Sequence, residues 1–538
     1  MLLATAPARY ARHLGIDIKP TQVAGDGQAV HVPHGLRIVE SLLLQRVPAE
    51  DIAVCYTDQL PLFVGENTRA IGIHAHNPVG ITFATDVYSH MWGSHLEPVN
   101  AADFRRLITH PLLRRHKPHL KVIVGGPGAW QLEKKSLLDE WGIDCVVDGE
   151  AEDVVLPLFE AALRGEALPR KVEGHSPPME HIPPIRHRAA FGVVEITRGC
   201  GRGCQFCSIA LRRGKSYPLQ QILANVRTQV AEGAKTILLT TEDLFLYEQG
   251  PRFDTNVGAL KRLFQAVTSE PGVKHLMLTH GTISPVVRNP EVVSELSPYA
   301  VDYSIESHPD STHPQKRYAD FFIGLETGSP RLFERYMKGK AYPFRPQQWP
   351  DVVLKGMEIL NQHNWFPFCT MIIGLPGETR EDTRQTLDMV HALFSMPMKG
   401  TIIPTLFVSL DDTRLANKAS AKLVELTDLQ WEFFFTCWRH NLDFFRRSAK
   451  DQWKFRLGAP LYYYLYGRKH FGPEVKYPLF RLGHVPERLM KNKLYLDFSG
   501  QLRPRLQVPE EVPIPEERAR PAIPLLRPEA RSDVDAAA

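Results

Sequence analysis

The chain has 538 residues, 43% of them hydrophobic and 23% charged. This length exceeds what one core serves and predicts about two to four domains, while the ordinary composition excludes collagen-like and low-complexity classes. Its 64 basic and 60 acidic residues leave a net charge of +4, so bland surface solubility, with no nucleic-acid partner, is the expectation.

No apolar run approaches the ~20 residues of a spanning helix, so no membrane span is expected. The opening run Met1-Leu-Leu-Ala-Thr-Ala-Pro lacks the basic-then-apolar pattern of a signal peptide. Seven cysteines argue against a disulfide framework and for a reducing, cytoplasmic setting. Cys55, Cys145, Cys369 and Cys437 lie scattered in apolar surroundings and read as small core residues.

Residues 1–174 alternate strand and helix patterns, as in an α/β Rossmann-like parallel sheet domain. The predicted strands are Met1–Thr5, Asp51–Tyr56, Ala70–His74, Lys121–Gly125 and Asp144–Val147, with helices over Gly35–Gln45 and Ala101–Arg115. Two strands end in conspicuous turns, one at Gly125-Gly126-Pro-Gly128 and one at Asp148-Gly149-Glu150-Ala-Glu152. Ligands of open sheets gather beyond such carboxyl ends, although a tight strand-to-helix turn explains each glycine equally simply.

A Pro-rich linker in extended conformation is expected at residues 175–190. A second strand–helix series fills 191–430, with strands at Val193–Thr197, Thr236–Thr240, His275–Thr279, Phe321–Glu326, Phe368–Gly374 and Thr401–Val408. Six such units suggest a partial (β/α)6 TIM-like barrel, whose working groups line the carboxyl ends of its strands. Residues 431–502 turn aromatic and basic at helical spacing and read as a helical region over the barrel mouth. The Pro-rich tail 503–538 is too poor in large apolar groups to order itself.

The chemistry concentrates in Ile196-Thr-Arg-Gly-Cys200-Gly-Arg-Gly-Cys204-Gln-Phe206-Cys207, directly after the first strand of the second series. Three thiolates in a Gly-rich loop suit an iron–sulfur cluster, whose cubane form normally takes four ligands. With three, one iron keeps a position for a substrate or cofactor. A zinc site would more often pair two separated Cys-x2-Cys units, and no second unit exists.

Cys200, Cys204, Phe206 and Cys207 match the Cys-x3-Cys-x2-Cys signature of the radical S-adenosylmethionine (SAM) superfamily, which residues 191–410 resemble. The resemblance implies that Cys200, Cys204 and Cys207 hold a [4Fe–4S] cluster, with SAM on the fourth iron. It further implies reductive cleavage of SAM to a 5′-deoxyadenosyl radical, with electrons from an external donor such as flavodoxin or ferredoxin. Glu242 and Asp243 occupy the place of the family's Gly-Gly-Glu motif, with the glycines absent. Glu326 is implied to hold the ribose or methionine amine of SAM, and the backbone at Ile373 and Gly374 its adenine.

The first domain resembles the cobalamin-binding domain that precedes the barrel in one large class of these enzymes. Pro33-His-Gly-Leu36, Gly125-Gly126 and Gly149-Glu150 carry that resemblance. One departure is clear: the Asp-x-His-x-x-Gly loop that supplies a histidine to cobalt is absent. His13, His31, His34, His74 and His76 lack its spacing and read as solvent-facing or structural. Cobalamin without a protein ligand to cobalt is therefore the expectation.

The implied activity is C-methyl transfer to a small molecule. Cyclisation or rearrangement without methyl transfer, and a non-catalytic cluster protein, stay open. A methylthiotransferase fits poorly, because that family carries three further cysteines in its N-terminal domain. Here only Cys55 and Cys145 precede the cluster motif.

Overall fold

Short β-branched runs closed by glycine or histidine set the strands of the first half of the chain. The computed structural model describes residues 8, 22–82, 85, 97–134, 136–305, 317–410, 413–422 and 425–448, with side chains to 441. The expected strand Met1–Thr5, His13, most of the 431–502 region and the 503–538 tail lie outside the described residues. Two compact units are present. One comprises Met1–Glu195, Tyr217–Leu238 and Ser269–Lys274; the other comprises Ile196–Ser216, Leu239–Thr268 and His275–Ala538.

In the first unit, β1 (Ala70–His74), β2 (Lys121–Gly125), β3 (Cys145–Gly149) and β4 (Lys171–Gly174) form a parallel sheet in sequential order. Ile73, Val122, Val124 and Val146 are buried in its core, where each such side chain contributes about 1.5–3 kcal/mol relative to exposure. The short β4 carries little apolar signal and escaped the sequence reading.

The helix expected at Gly35–Gln45 forms over His34–Leu43. The one expected at Ala101–Arg115 is two helices, Val99–Ile108 and Pro111–Arg115. Pro111 has no N–H to continue the first, and the His110 side chain caps the second by accepting from Leu112 N at 3.3 Å.

The strand expected at Asp51–Tyr56 does not form. A 3-10 turn occupies Ala49–Asp51. Val54 instead bonds to an irregular loop, accepting from Ala29 N at 2.8 Å and donating to Gln28 Oε1 at 3.1 Å.

The Pro-rich run after β4 contains a 3-10 turn at Met179–His181, and Met179, Ile182 and Ile185 are buried. Its backbone is met by two buried amides of the helix Leu219–Ala231. Ile185 N donates to Asn225 Oδ1 at 2.9 Å, and Ala189 N to Gln229 Oε1 at 3.2 Å. Such pairing is what permits backbone to run through a core without a ladder. Val193–Glu195 (β5) closes this unit's first segment.

The second unit opens with β6 (Thr197–Arg198), paired antiparallel with β7 (Lys215–Ser216). Then come the last residues of β8 (Thr236–Thr240), β9 (His275–Leu278) and β10 (His280–Gly281). Hydrogen bonds step from one strand end to the next: Ile196 N to Thr240 O at 2.9 Å, Thr241 N to Thr279 Oγ1 at 2.9 Å, and Phe322 N to Thr279 O at 2.6 Å. The series continues as a parallel sheet, β10, β11 (Ala319–Glu326), β12 (Trp365–Ile373) and β13 (Thr401–Leu406).

Alternation along β11 buries Phe321, Ile323 and Leu325 on one face. Behind that face, Phe333 and Trp349 stack with centroids 4.1 Å apart, and Trp349 Nε1 donates to Leu325 O at 3.2 Å. The helix Asp428–Ser448 carries the aromatic run, and Phe433, Phe434 and Phe435 are buried. These three aromatics are core. Asn441 on the same helix covers backbone of β13, accepting from Ile402 N at 2.9 Å and donating to Ile402 O at 2.7 Å.

Candidate functional site: a clamped cysteine loop

The three cysteines of the motif lie on the loop that β6 and β7 close. Gly199, Gly201 and Gly203 alternate with Cys200, Arg202 and Cys204 at φ near +74° (73°, 75° and 74°). At Gly199 a Cβ would sit 2.6 Å from Arg213 O, so the loop's own return strand requires glycine there. Cys200 N bonds Arg212 O at 3.1 Å, and Gly203 N bonds Ala210 O at 2.9 Å.

Cys204 is buried, and Cys200 and Cys207 are half-buried. Burial pushes the Cys200 thiol up to about 11 and the Cys204 thiol up to about 12, and Cys207 moves the same way. Among the described residues no three His, Cys, Asp or Glu side chains converge to hold a single metal ion. Ligands of a cubane cluster bind different irons and need not converge, so three soft thiols on one loop fit that group. Phe206 is half-buried between Cys204 and Cys207.

Two elements hold this loop from outside. The first is the turn after β8. Arg202 Nε meets Asp243 Oδ2 at 3.0 Å, each side chain only 1% exposed. Asp243 Oδ2 also accepts from Thr282 Oγ1 at 2.7 Å, and its Oδ1 accepts from Phe245 N and Thr282 N, each at 3.2 Å. Its carboxylate is thus filled by protein donors, which makes Asp243 an anchor for the loop, whereas Glu242 beside it is half-buried. The Arg202 guanidinium also sits 4.9 Å from the centroid of the Phe253 ring.

The second element is the far end of the helix Pro330–Ala341. Non-helical geometry at Met337 (φ −150°, ψ 30°) interrupts it, and its carbonyls there turn to the cysteine loop. Gln205 N donates to Tyr336 O at 2.8 Å, Gln205 Nε2 to Arg335 O at 2.8 Å, and Arg202 Nη1 to Gly339 O at 3.4 Å.

The same helix brings Lys340 to Glu326, Nζ to Oε1 at 2.5 Å, the side chains 11% and 8% exposed. Glu326 has φ +66°, and the β11–β12 register shifts between Gly324 and Glu326. Gly324 has no side chain because the pair fills its place: a Cβ there would lie 1.8 Å from Glu326 Oε1 and 2.3 Å from Lys340 Nζ.

At the end of β12, Ile373 is buried and Gly374 has φ +80°. Glu378 organises this turn: its Oε2 accepts from Gly374 N at 2.6 Å and Leu375 N at 3.1 Å. Its Oε1 accepts from Thr383 Oγ1 at 2.7 Å and Gln430 Nε2 at 3.2 Å. Burial raises the Glu378 carboxyl above its ordinary value against these bonds.

In the other unit, the sequence-predicted glycines serve their neighbours' backbone. A Cβ at Gly126 (φ +104°) would meet Ala75 O at 2.8 Å, and one at Gly149 (φ +96°) would meet Gly174 O at 2.4 Å. Gly125 has only ordinary contact with Val147, and Glu150 N bonds Gly174 O at 3.3 Å. His74 ends β1 and His76 follows it; burial draws His74 down to about 4 and lowers His76.

Sequence reasoning missed Arg202, Lys340 and Gln430. Each acts through a partner more than 10 positions away, and only Arg202, enclosed by Cys200 and Cys204, carried any local signal.

Three cysteines thus share one loop at the start of a parallel α/β series, and residues 194–390 match the Radical SAM superfamily. The chain carries a radical SAM domain. Curated relatives include the tRNA-2-methylthio-N(6)-dimethylallyladenosine synthases of Bdellovibrio bacteriovorus and Bifidobacterium adolescentis. Each is 26% identical over 290 and 285 residues, covering 52% of this chain and 57% and 53% of theirs. The chain thus spans little more than half the length of those relatives. Among solved structures, the radical S-adenosylmethionine methyltransferase TsrM from Kitasatospora setae, with cobalamin and [4Fe–4S] cluster bound, superposes with TM-score 0.51 at 14% identity, covering 73% of this chain and 79% of that one. That likeness establishes the shared α/β, TIM-like fold.

No helix among the described residues is long and apolar enough to cross a membrane.

Proposed function

We propose that this chain is a cobalamin-dependent radical SAM enzyme that transfers a methyl group to a carbon of a small molecule. The observation that carries the radical part is the Cys200–Cys204–Cys207 loop, fixed by Asp243 on one side and by Arg335, Tyr336 and Gly339 on the other. In this reading the three thiols hold the [4Fe–4S] cluster, Glu242 and Glu326 face SAM with Phe206, and the turn at Ile373–Gly374 receives the adenine. Cluster and SAM, once bound and reduced by a flavodoxin- or ferredoxin-like donor, supply a 5′-deoxyadenosyl radical. The protein's part is to orient these groups and keep water from them. Asp243, with its oxygens already engaged, positions the loop.

The cobalamin part rests on the likeness to TsrM and on the four-stranded parallel sheet of the first unit. Gly125, Gly126, Gly149 and Glu150 stand at its carboxyl ends, where such a ligand would lie. We assign 1–174 to that domain, 175–190 to the linker, 191–430 to the barrel and 431–502 to a covering region.

The test is anaerobic reconstitution with iron, sulfide, SAM and a reductant. 5′-Deoxyadenosine is expected, and its absence with an intact cluster would sink the radical reading. Failure of the reconstituted chain to retain hydroxocobalamin would remove the methyltransferase version alone.

A second reading, methylthiolation of tRNA, is favoured by the named curated relatives. Against it, Cys55 is half-buried and Cys145 fully buried. No third cysteine accompanies them ahead of Cys200 to hold a second cluster. Methylthio-adenosine in tRNA from cells expressing this chain, and absent without it, would decide for that reading.

A further inference from the structure

We infer that Lys340 is a working residue of this site: it fixes Glu326 beside the cysteine loop and sets a positive charge next to the cluster, easing one-electron reduction. The inference rests on the cluster reading above and adds to it a cation with a redox role.

The placement of Lys340 is built from several independent contacts. Gly339, immediately before it, packs so closely on the cysteine loop that a Cβ there would lie 2.1 Å from Arg202 O. Gln205, between Cys204 and Cys207, is bonded to Arg335 and Tyr336 of the same helix. Lys340 O accepts from the buried Ser284 hydroxyl at 2.8 Å. The residue is therefore pinned by its backbone, and its side chain extends to Glu326 over Gly324.

Glu326 is held at φ +66° at a bulge, a left-handed conformation that strains a non-glycine residue. A buried ion pair contributes little net stability, because desolvation offsets attraction. Stability alone thus gives no reason for a strained glutamate, a glycine cleared for it and a buried lysine at one point.

The electrostatics agree with the geometry. Burial, the largest single influence, pulls the Lys340 ammonium down, yet with the Glu326 carboxylate 2.5 Å away the balance of its surroundings holds the pKa above the ordinary value. A buried cation beside the cysteine loop favours the extra electron of a reduced cluster, since cluster potential follows local charge and burial. Little water intervenes to screen it.

The experiment is an EPR-monitored reductive titration of the full chain, anaerobically reconstituted with iron and sulfide, for wild type, Lys340→Met, Lys340→Arg and Glu326→Gln. Lys340→Met should lower the cluster potential at unchanged iron content, Lys340→Arg should hold it, and Glu326→Gln should raise it. Equal potentials in all iron-loaded variants, or shifts of one sign in both neutralised variants, would overturn the inference. If Lys340→Met takes up no iron, Glu326→Gln still decides, and an unchanged or lowered potential there is fatal. Wild type that binds no cluster would overturn the underlying reading first, and is recognised by its own iron content.

Discussion

Arg202 and Asp243 face each other at 3.0 Å with both side chains 1% exposed, one within the cysteine motif and the other after β8. Removing either partner leaves a buried charge alone, which costs about 3–5 kcal/mol. Arg202→Met and Asp243→Asn should each lower unfolding stability by that order and reduce iron uptake. The double variant should cost clearly less than the sum of the two, since its partners are both neutral. Denaturant melts together with iron assays check this; strict additivity would mean that the pair does not act as a unit.

Cys204 and Cys55 give a direct contrast. Cys204→Ala should abolish cluster absorbance and SAM cleavage, while Cys55→Ala, at a half-buried site packed on the first core, should leave both nearly intact. Equal losses would mean that the cluster sits elsewhere.

Glu378 predicts a pH dependence. Its folded pKa is raised by burial, so the folded chain holds this proton more tightly than the unfolded chain. The stability it contributes is full below the ordinary value of 4.5 and is lost as pH rises through the higher folded value. The melting-temperature difference between wild type and Glu378→Gln should therefore shift against wild type as pH climbs from about 4 to 7. A difference that is flat, or of opposite slope, would contradict the assignment. Glu378→Ala, which strips acceptors from Gly374 N and Leu375 N, should in addition weaken SAM binding in equilibrium dialysis.

Asn441 bonds both Ile402 N and Ile402 O while itself 1% exposed. Asn441→Ala should cost about 1–3 kcal/mol for the polar groups left unmet, read by chemical denaturation. A change within about 0.5 kcal/mol, the range of an ordinary surface substitution, would show that water replaces the amide.

Residues whose meaning is local were legible beforehand. Cys200, Cys204 and Cys207 declare themselves by spacing, and Glu326 and Gly374 by closing apolar strands. Residues whose meaning is tertiary were not. Lys340 reads as one of several cations in a helix, and only the fold brings it over Gly324. Asp243 looked like a ligand acid until Arg202 and Thr282 filled it. The failed strand at Asp51–Tyr56 has the same origin: its residues have strand character, but Val54 bonds a loop, and a ladder needs a neighbour that sequence periodicity does not reveal.

The clamp on the cysteine loop has a consequence for the loop itself. Its bonds to Asp243, Tyr336, Arg335 and Gly339 run from protein to protein. If the three thiols hold a cluster as proposed, the loop that carries them would be tied down by the surrounding fold, and a lost cluster would be rebuilt on an anchored loop.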